Sequence, residues 1–304
     1  MHYTLTLNPA VDYFMNFQDE ISNHQKTDSF ELMPGGKGIN ASIILNNLGI
    51  ENKTIFLAGG MIGKQLEVLV KSKGVGYIKV DSGVNTRINV KASFEDTYEM
   101  NVSGEPIKFE QVKSELFGIL DTMDKQDTLL VMGSLPNGFT FKDLETIIQR
   151  AFNNEVKLVF DLSKDHLTKL TKYRPEVIKP NRKELEELFN CSIKTKEESF
   201  KYAEKLIKSG AKRVLVSFDK SGSIYIDENK NKRIINGVTI QEVNGSGAGD
   251  SMISAFVAGI SQEFSVNEAL KLASAAGTAT ASVAGIATKK EIMDYKNKIL
   301  IKER

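Results

Sequence analysis

One cysteine in 304 residues, Cys191, leaves no partner for an internal disulfide and fits a chain that works in the reducing cytoplasm. Nothing near Cys191 marks an activated thiolate, so it reads as a partly buried structural residue. The three histidines, His2, His24 and His166, lie far apart and carry no zinc-type spacing. Excess charge is missing as well: 40 basic residues against 39 acidic ones leave a formal +1. Global charge therefore implies neither nucleic acid nor a membrane surface as a partner. No apolar run is as long as a membrane span. The opening MHYTLTLNPAVDYF has no basic segment leading into a long apolar one, so no signal peptide is expected. Neither G-x-x-x-x-G-K-S/T nor a strand-borne G-x-G-x-x-G occurs, which leaves P-loop and Rossmann nucleotide sites without support.

What the chain does have is glycine in two concentrated places. The stretch Val243-Asn244-Gly245-Ser246-Gly247-Ala248-Gly249-Asp250 alternates glycine with small residues and ends on a carboxylate. Behind it, Met252, Ile253, Phe256, Val257 and Ile260 have the spacing of a buried helix. Asp250 then falls in or just before the first turn, where free N–H groups and the helix dipole favour an anion. Glycine lets a phosphate approach those N–H groups closely. A carboxylate beside such a hole is well placed to take the proton of a hydroxyl while the hole holds the charge of a transferring phosphoryl group. An ordinary glycine turn closed by aspartate has the same local pattern, so the stretch needs support from elsewhere. Some comes from the second cluster, Pro34-Gly35-Gly36-Lys37-Gly38-Ile39-Asn40, which opens another apolar helix that Gly49 closes.

In chain order, YTLTL (3–7) reads as a first buried strand ending at Asn8-Pro9. TIFLAGG (54–60) is a core strand and MIGKQLEVLVKSKG a helix stopped at Gly74. TRINVKASF and TYEMNVSG form a hairpin around Glu95-Asp96. With the runs near 11–17 and 26–33 they predict a small sheet inserted into a larger α/β body. Strand and helix then alternate: DTLLVMGSLP, FKDLETIIQRAFNN, KLVFDLS, EVIKPN, RKELEELFN, a helix ending at Gly210, and RVLVSFD. The short strands SIYI and KRIING follow, and EALKLASAAGTATASVAG is a helix rich in small residues. Such alternation predicts a mostly parallel sheet with helices on both faces, with chemistry at the carboxyl ends of its strands. Asn8, Ser134, Asp161, Lys179, Asn181, Ser217 and Asp250 all fall at or just after such ends.

Several of these residues carry two readings. Asn181 and Glu184, three apart where a helix begins, could face one site and hold a hydrated magnesium ion, with Lys179 near nucleotide phosphates. They also have the spacing of a capping box. Arg87 could grip a phosphate with its fork of donors or be a solvated strand arginine, and Lys26 and Lys37 carry the same pair of readings. Asp12 could hold two sugar hydroxyls or close a turn.

Together, TLNPAVD, PGGKGIN, TRINVK, GSLPNG, KPNRKE and VNGSGAGD resemble, in this order, the PfkB (ribokinase-like) carbohydrate kinases. The resemblance runs from about Tyr3 to Ala287. It implies one kinase domain over 1–304, with a discontinuous β lid from about 10–34 and 86–106 that often doubles as a dimer surface. By resemblance Asp250 is the catalytic base, and the backbone of Gly247, Ala248 and Gly249 the anion hole. Asp12, Gly35, Gly36 and Asn40 contact the sugar. Lys26, Lys37 and Arg87 lie near its phosphate, with Ser134 and Asn89 close by. Lys179, Asn181 and Glu184 face ATP and Mg²⁺. Ser217 and Ser246 border the nucleotide, and the helix around Ala276 and Gly277 packs near adenine. Two departures stand out: Phe218-Asp219 replaces a small apolar residue and glycine, and NVSGEPI (101–107) only loosely matches a glycine-proline turn.

The expected function is ATP- and Mg²⁺-dependent phosphorylation of a phosphorylated ketohexose, fructose 1-phosphate to fructose 1,6-bisphosphate, by a cytoplasmic enzyme. Within the family, tagatose-6-phosphate kinase and 6-phosphofructokinase are the alternatives. From another class, a non-catalytic sugar-phosphate-binding regulator would share the fold but lose the base or the hole, and GAGD is intact. The cations Lys26, Lys37 and Arg87 argue against a neutral sugar or nucleoside, which would leave them unpaired.

Overall fold

The computed structural model describes residues 1–17, 24, 26, 27, 29–94 and 97–304. Its first strands are β1 (His2–Thr6), β2 (Ala10–Asn16), β3 (Ser29–Gly35), β4 (Asn52–Ala58), β5 (Gly76–Asp81), β6 (Arg87–Ser93) and β7 (Thr97–Met100). The second half carries β8 (Thr128–Gly133), β9 (Lys157–Leu162), β10 (Val177–Ile178), β11 (Arg213–Ser217), β12 (Gly222–Asp227), β13 (Lys232–Asn236) and β14 (Ile301–Glu303). Ten of them form one sheet in the order β14-β13-β12-β11-β10-β9-β8-β1-β4-β5. Pairing is parallel from β11 through β5 and antiparallel over β11 to β14. The predicted α/β architecture with a mostly parallel sheet is therefore what forms.

Helices cover both faces because the strands are apolar on both, as parallel sheets require. In β8, Leu129 and Val131 point into one core with α3 (Phe109–Leu120), α4 (Phe141–Asn153), α5 (Lys164–Leu170), α6 (Arg182–Phe189) and α7 (Lys196–Lys208). Leu130 and Met132, one residue out of phase, point into the other. That second core holds α1 (Lys37–Asn47), α8 (Ala248–Ser261), α9 (Val266–Ala281) and α10 (Lys289–Lys296). Between α8 and α9 the packing is close: a Cβ on Gly259 would lie 2.9 Å from Ala269. A third cluster seats α2 (Gly60–Ser72) against β4 and α1 through Phe56, Leu66, Val70 and Ile43.

The remaining strands make the separate small sheet, β3-β2-β6-β7. β2 pairs with β6 in parallel and with β3 antiparallel, and β7 closes the predicted hairpin on β6; Glu95-Asp96 at its tip lies outside the described residues. Alternation sorts its side chains. Asp12, Arg87, Asn89, Lys91 and Glu99 share one face, and Tyr13, Phe30, Val90, Tyr98 and Met100 the other. Elsewhere the predicted strand EVIKPN shrinks to Val177–Ile178, because Pro175 and Pro180 bracket it and donate nothing to a ladder. The strand β5 and helices α3, α5 and α10 had no expectation attached to them.

Candidate active site

The parallel strands deliver their carboxyl ends to one edge of the large sheet, and a cavity of about 940 Å³ opens there, between that edge and the charged face of the small sheet. Thr6 and Asn8 at the end of β1, Gly133 and Ser134 at the end of β8, Lys179 after β10 and Ser217 at the end of β11 all line it. Three helix N-termini open onto it as well: Lys37 of α1, Asn181 before α6, and Gly247, Ala248 and Gly249 at α8. Neither α1 nor α8 has a side-chain cap; glycines in non-helical conformation, Gly36 at φ 128° and Gly247 at φ 82°, stand at the cap positions. First-turn amides are thus left for an external anion, apart from that of Ala248, which donates at 3.3 Å to the Gly245 carbonyl. By contrast the surface helices α4 and α10 close with complete capping boxes.

Asp250 sits at the cavity floor in the first turn of α8, 5% exposed. Asn40 Nδ2 of α1 donates to its Oδ2 at 2.9 Å, tying the two glycine-rich loops together. Burial pushes the Asp250 carboxyl up to about 6; Lys37 opposes that shift and Asp161 adds to it. The carboxylate is therefore ionised at neutral pH yet far more basic than a solvated one, the property a general base needs. Beneath it, Asp161 is buried between two cations. Lys37 Nζ lies 3.3 Å from one of its oxygens and Lys179 Nζ 3.8 Å from the other. Burial alone would raise the Asp161 carboxyl, but Lys179 and Lys37 hold it below its ordinary range. Asp161 in turn is the main cause that raises Lys37. With Asp250 ionised, two carboxylates balance the two ammonium groups, and the floor turns net positive when Asp250 takes up a proton. A lysine in the first turn of a helix opposes the helix dipole, and Asp161 makes it tolerable.

The residues expected to face a nucleotide fall on the cavity wall: Lys179, Asn181, Glu184, Ser217, Ser246 and Gly277 all line it. Gly249 has no side chain to block Lys179, whose Nζ would lie 3.0 Å from a Cβ there. Gly277 also serves packing, since a Cβ would lie 3.2 Å from the Ala248 carbonyl. Asn181 and Glu184 do form the capping box, with Glu184 N–H donating to Asn181 Oδ1 at 2.8 Å and Asn181 N–H to Glu184 Oε2 at 2.7 Å. Both still border the cavity. Among the described residues no group of three or more His, Cys, Asp or Glu side chains is placed to hold a metal ion. At the departure after Ser217, Phe218 turns into the core, and Asp219 takes a left-handed φ of 45°, a conformation glycine adopts freely. The side chain at 219 is therefore added to a turn whose backbone keeps the shape glycine favours.

On the sugar side, Gly36, Lys37, Asn40, Arg87 and Ser134 line the large cavity. Arg87 is not a free fork. Its donors reach the carbonyls of Asn8, Pro9 and Val102 and the Asn89 side chain, and burial lowers it with Asp12 opposing. Asn89 stands behind it, donating to Asp12 Oδ1 at 2.9 Å. Asp12 lines a neighbouring cavity of about 60 Å³. Gly35 is needed for that carboxylate, which would lie 2.4 Å from a Cβ. Lys26 is exposed between β2 and β3 and is not brought to the cavity wall. Two charged residues at the site carry no role legible in the sequence: Asp161, placed there only as a strand-end residue, and Lys91, a β-strand lysine indistinguishable in sequence from a solvated one.

Fold and cavity define a phosphotransferase with an alcohol acceptor on a ribokinase-like α/β body. Comparison with known proteins agrees. The model of the pfkB family of carbohydrate kinases matches residues 5–293. A 1-phosphofructokinase of Bacillus subtilis is 33% identical over 282 residues, 92% of each chain. A D-tagatose-1-phosphate kinase of Bacillus licheniformis is 33% identical over 292 residues, 94% of each chain. The structure of Escherichia coli phosphofructokinase-2 in complex with substrates and products superposes with a TM-score of 0.91 at 27% identity, covering 97% of this chain and 98% of that one. A tetrameric inhibited form of the same Escherichia coli protein is also similar, with a TM-score of 0.86 at 27% identity over 98% of each chain. The chain belongs to the pfkB family of carbohydrate kinases.

Proposed function

We propose that this enzyme transfers the γ-phosphoryl group of ATP to the C6 hydroxyl of fructose 1-phosphate in the cytoplasm, giving fructose 1,6-bisphosphate. The observation that carries the reading is Asp250, a buried carboxylate pushed up to about 6, set among the uncapped amides of α8, Lys37 and Asn40. The sugar C6 oxygen attacks the γ-phosphorus, the bond to the ADP oxygen breaks, and the hydroxyl proton passes to Asp250. The amides of Gly247, Ala248 and Gly249, with Lys179 and Lys37, stabilise the charge on the transferring group. Asn181 and Glu184 offer oxygen donors that suit a Mg²⁺ ion held largely through water and phosphate oxygens. Held there, the ion would supply positive charge to offset that of the phosphates.

Arg87, Lys37 and Ser134 would take the substrate phosphate, and Asp12 and Asn40 the ring hydroxyls. Two of the relatives are named for ketohexose 1-phosphates, fructose and tagatose, which favours a 1-phosphate over the 6-phosphates as substrate. The small sheet would act as the lid, excluding water during transfer. Its outer face, with Phe30 61%, Tyr98 59% and Met100 52% exposed, suits a homodimer contact. A panel of fructose 1-phosphate, tagatose 1-phosphate, tagatose 6-phosphate and fructose 6-phosphate with MgATP tests the substrate. The highest kcat/KM is expected for fructose 1-phosphate. A higher value for either 6-phosphate overturns the assignment.

A further inference from the structure

Lys91 is 6% exposed, and its three N–H groups face three partners from three directions. Nζ lies 3.0 Å from Ser246 Oγ, 3.4 Å from Asp12 Oδ2 and 3.8 Å from Glu99 Oε1, over the ring of Phe14. Ser246 Oγ donates in turn to Glu99 Oε1 at 2.8 Å. Asp12 is held from its other oxygen by Asn89, which takes a hydrogen bond from Arg87. A continuous polar chain thus runs Arg87–Asn89–Asp12–Lys91–Ser246. It begins at the arginine on the cavity wall and ends at the residue immediately before Gly247-Ala248-Gly249-Asp250. Lys91 crosses from the small sheet to the main body at Ser246, beside the Glu99 contact to the same hydroxyl.

We propose that Lys91 is a positioning residue that couples the sugar half of the cavity to the amide hole. The proposal rests on the kinase reading of the same site. One ammonium group lies within ion-pair distance of two carboxylates and donates to one hydroxyl, so its removal would cost the half-buried Asp12 its ion-pair partner. Asp12 would turn from the ring hydroxyls, and the loop 244–247 would lose its tie to the buried side of the small sheet, keeping the Ser246–Glu99 bond at its more exposed side. Ser246 keeps two other bonds, its Oγ donating to Glu99 Oε1, which is 43% exposed, and its N–H donating to Asn244 Oδ1 at 2.9 Å. The amides behind it must be set before the charge develops, because a preorganised hole costs no reorganisation during transfer. Loss of the tie should therefore fall mainly on kcat.

The test compares Lys91→Met, Lys91→Arg, Ser246→Ala and the Lys91→Met/Ser246→Ala pair, using fructose 1-phosphate and MgATP, with amide hydrogen exchange over residues 244–249. Lys91→Met should lower kcat about 10- to 100-fold and raise KM for the sugar phosphate several-fold, with KM for ATP changed less than about 2-fold. Lys91→Arg should restore most of the kcat, and the double variant should be no slower than the slower single one, because both cut the same link. Exchange at 244–249 should quicken about 10-fold in Lys91→Met while the large sheet keeps its protection. Multiplicative losses in the double variant, or unchanged exchange at 244–249, would overturn the proposal. If wild type does not turn over fructose 1-phosphate, the substrate reading fails instead, and the exchange measurement alone decides the coupling. Should Lys91→Met not fold, Ser246→Ala carries the same comparison with both charges in place.

Discussion

Asp250 concentrates the conflict between stability and function. A free aspartate titrates near 4, and Asp250 in the fold near 6. The folded chain therefore binds this proton more tightly than the unfolded one. The stability this group contributes is full below about pH 4 and is lost as pH rises through about 6, a difference on the order of 1–3 kcal/mol. Asp250→Asn keeps the shape and the Asn40 contact but can neither ionise nor take a proton. Its kcat should fall about 10²- to 10⁴-fold, while its Tm at pH 7.5 should rise by roughly 2–6 °C. In wild type, kcat/KM should decline as pH drops through about 6, as Asp250 takes up its proton. Near-normal turnover by the variant at pH 7.5 would remove Asp250 from the role of base. Asp250 was legible in sequence as a candidate base because its neighbours are local, the glycines before it and the helix behind it. Asp161 showed in sequence only as a strand-end carboxylate, since Lys37 and Lys179, which give it a role, reach it from distant segments.

At the scale of elements, helix ends divide the molecule's surface from its site. Helix α6 is the informative mixture, because its capping box borders the cavity. Glu184→Gln preserves that box, since glutamine serves at the third position as glutamate does, and removes only the negative charge. A rise in the Mg²⁺ midpoint of activity by about 3-fold or more, with Tm changed by less than about 2 °C, is expected if Glu184 helps hold the ion. An unchanged midpoint would leave Glu184 as a cap alone. Both the cap and the metal reading were visible in KPNRKE, and the structure shows that the first is present without removing the second. The elements that escaped notice escaped for physical reasons. β5 is a half-buried outer strand with little alternation, and α5 spans only seven residues, too few to show a helical period clearly.

For the whole molecule, the small sheet is where separate stretches of chain combine. Its charged face closes over the cavity, and its outer face is apolar and exposed at Phe30, Tyr98 and Met100. If that face joins two copies, Tyr98→Asp should shift a dimer toward monomer in sedimentation, with the large sheet's stability unaffected. A monomeric wild type at micromolar concentration would show that the face does not pair. The sequence alone determined the α/β alternation, the two glycine-rich helix starts and the placement of polar residues at strand ends. Each of these is written within a window of some ten residues as a period, a cap or a turn, and backbone sterics read it locally. The tertiary structure alone decided which charges meet: Lys91 with Asp12 and Ser246, Asp161 with Lys37 and Lys179, and Arg87 with the carbonyls of Asn8, Pro9 and Val102. Those partners lie from 15 to 155 residues apart, on separate elements, and are brought together by strand order and burial. The worth of a charge depends on its depth and its neighbours, so no local pattern could have ranked Lys91 above Lys26.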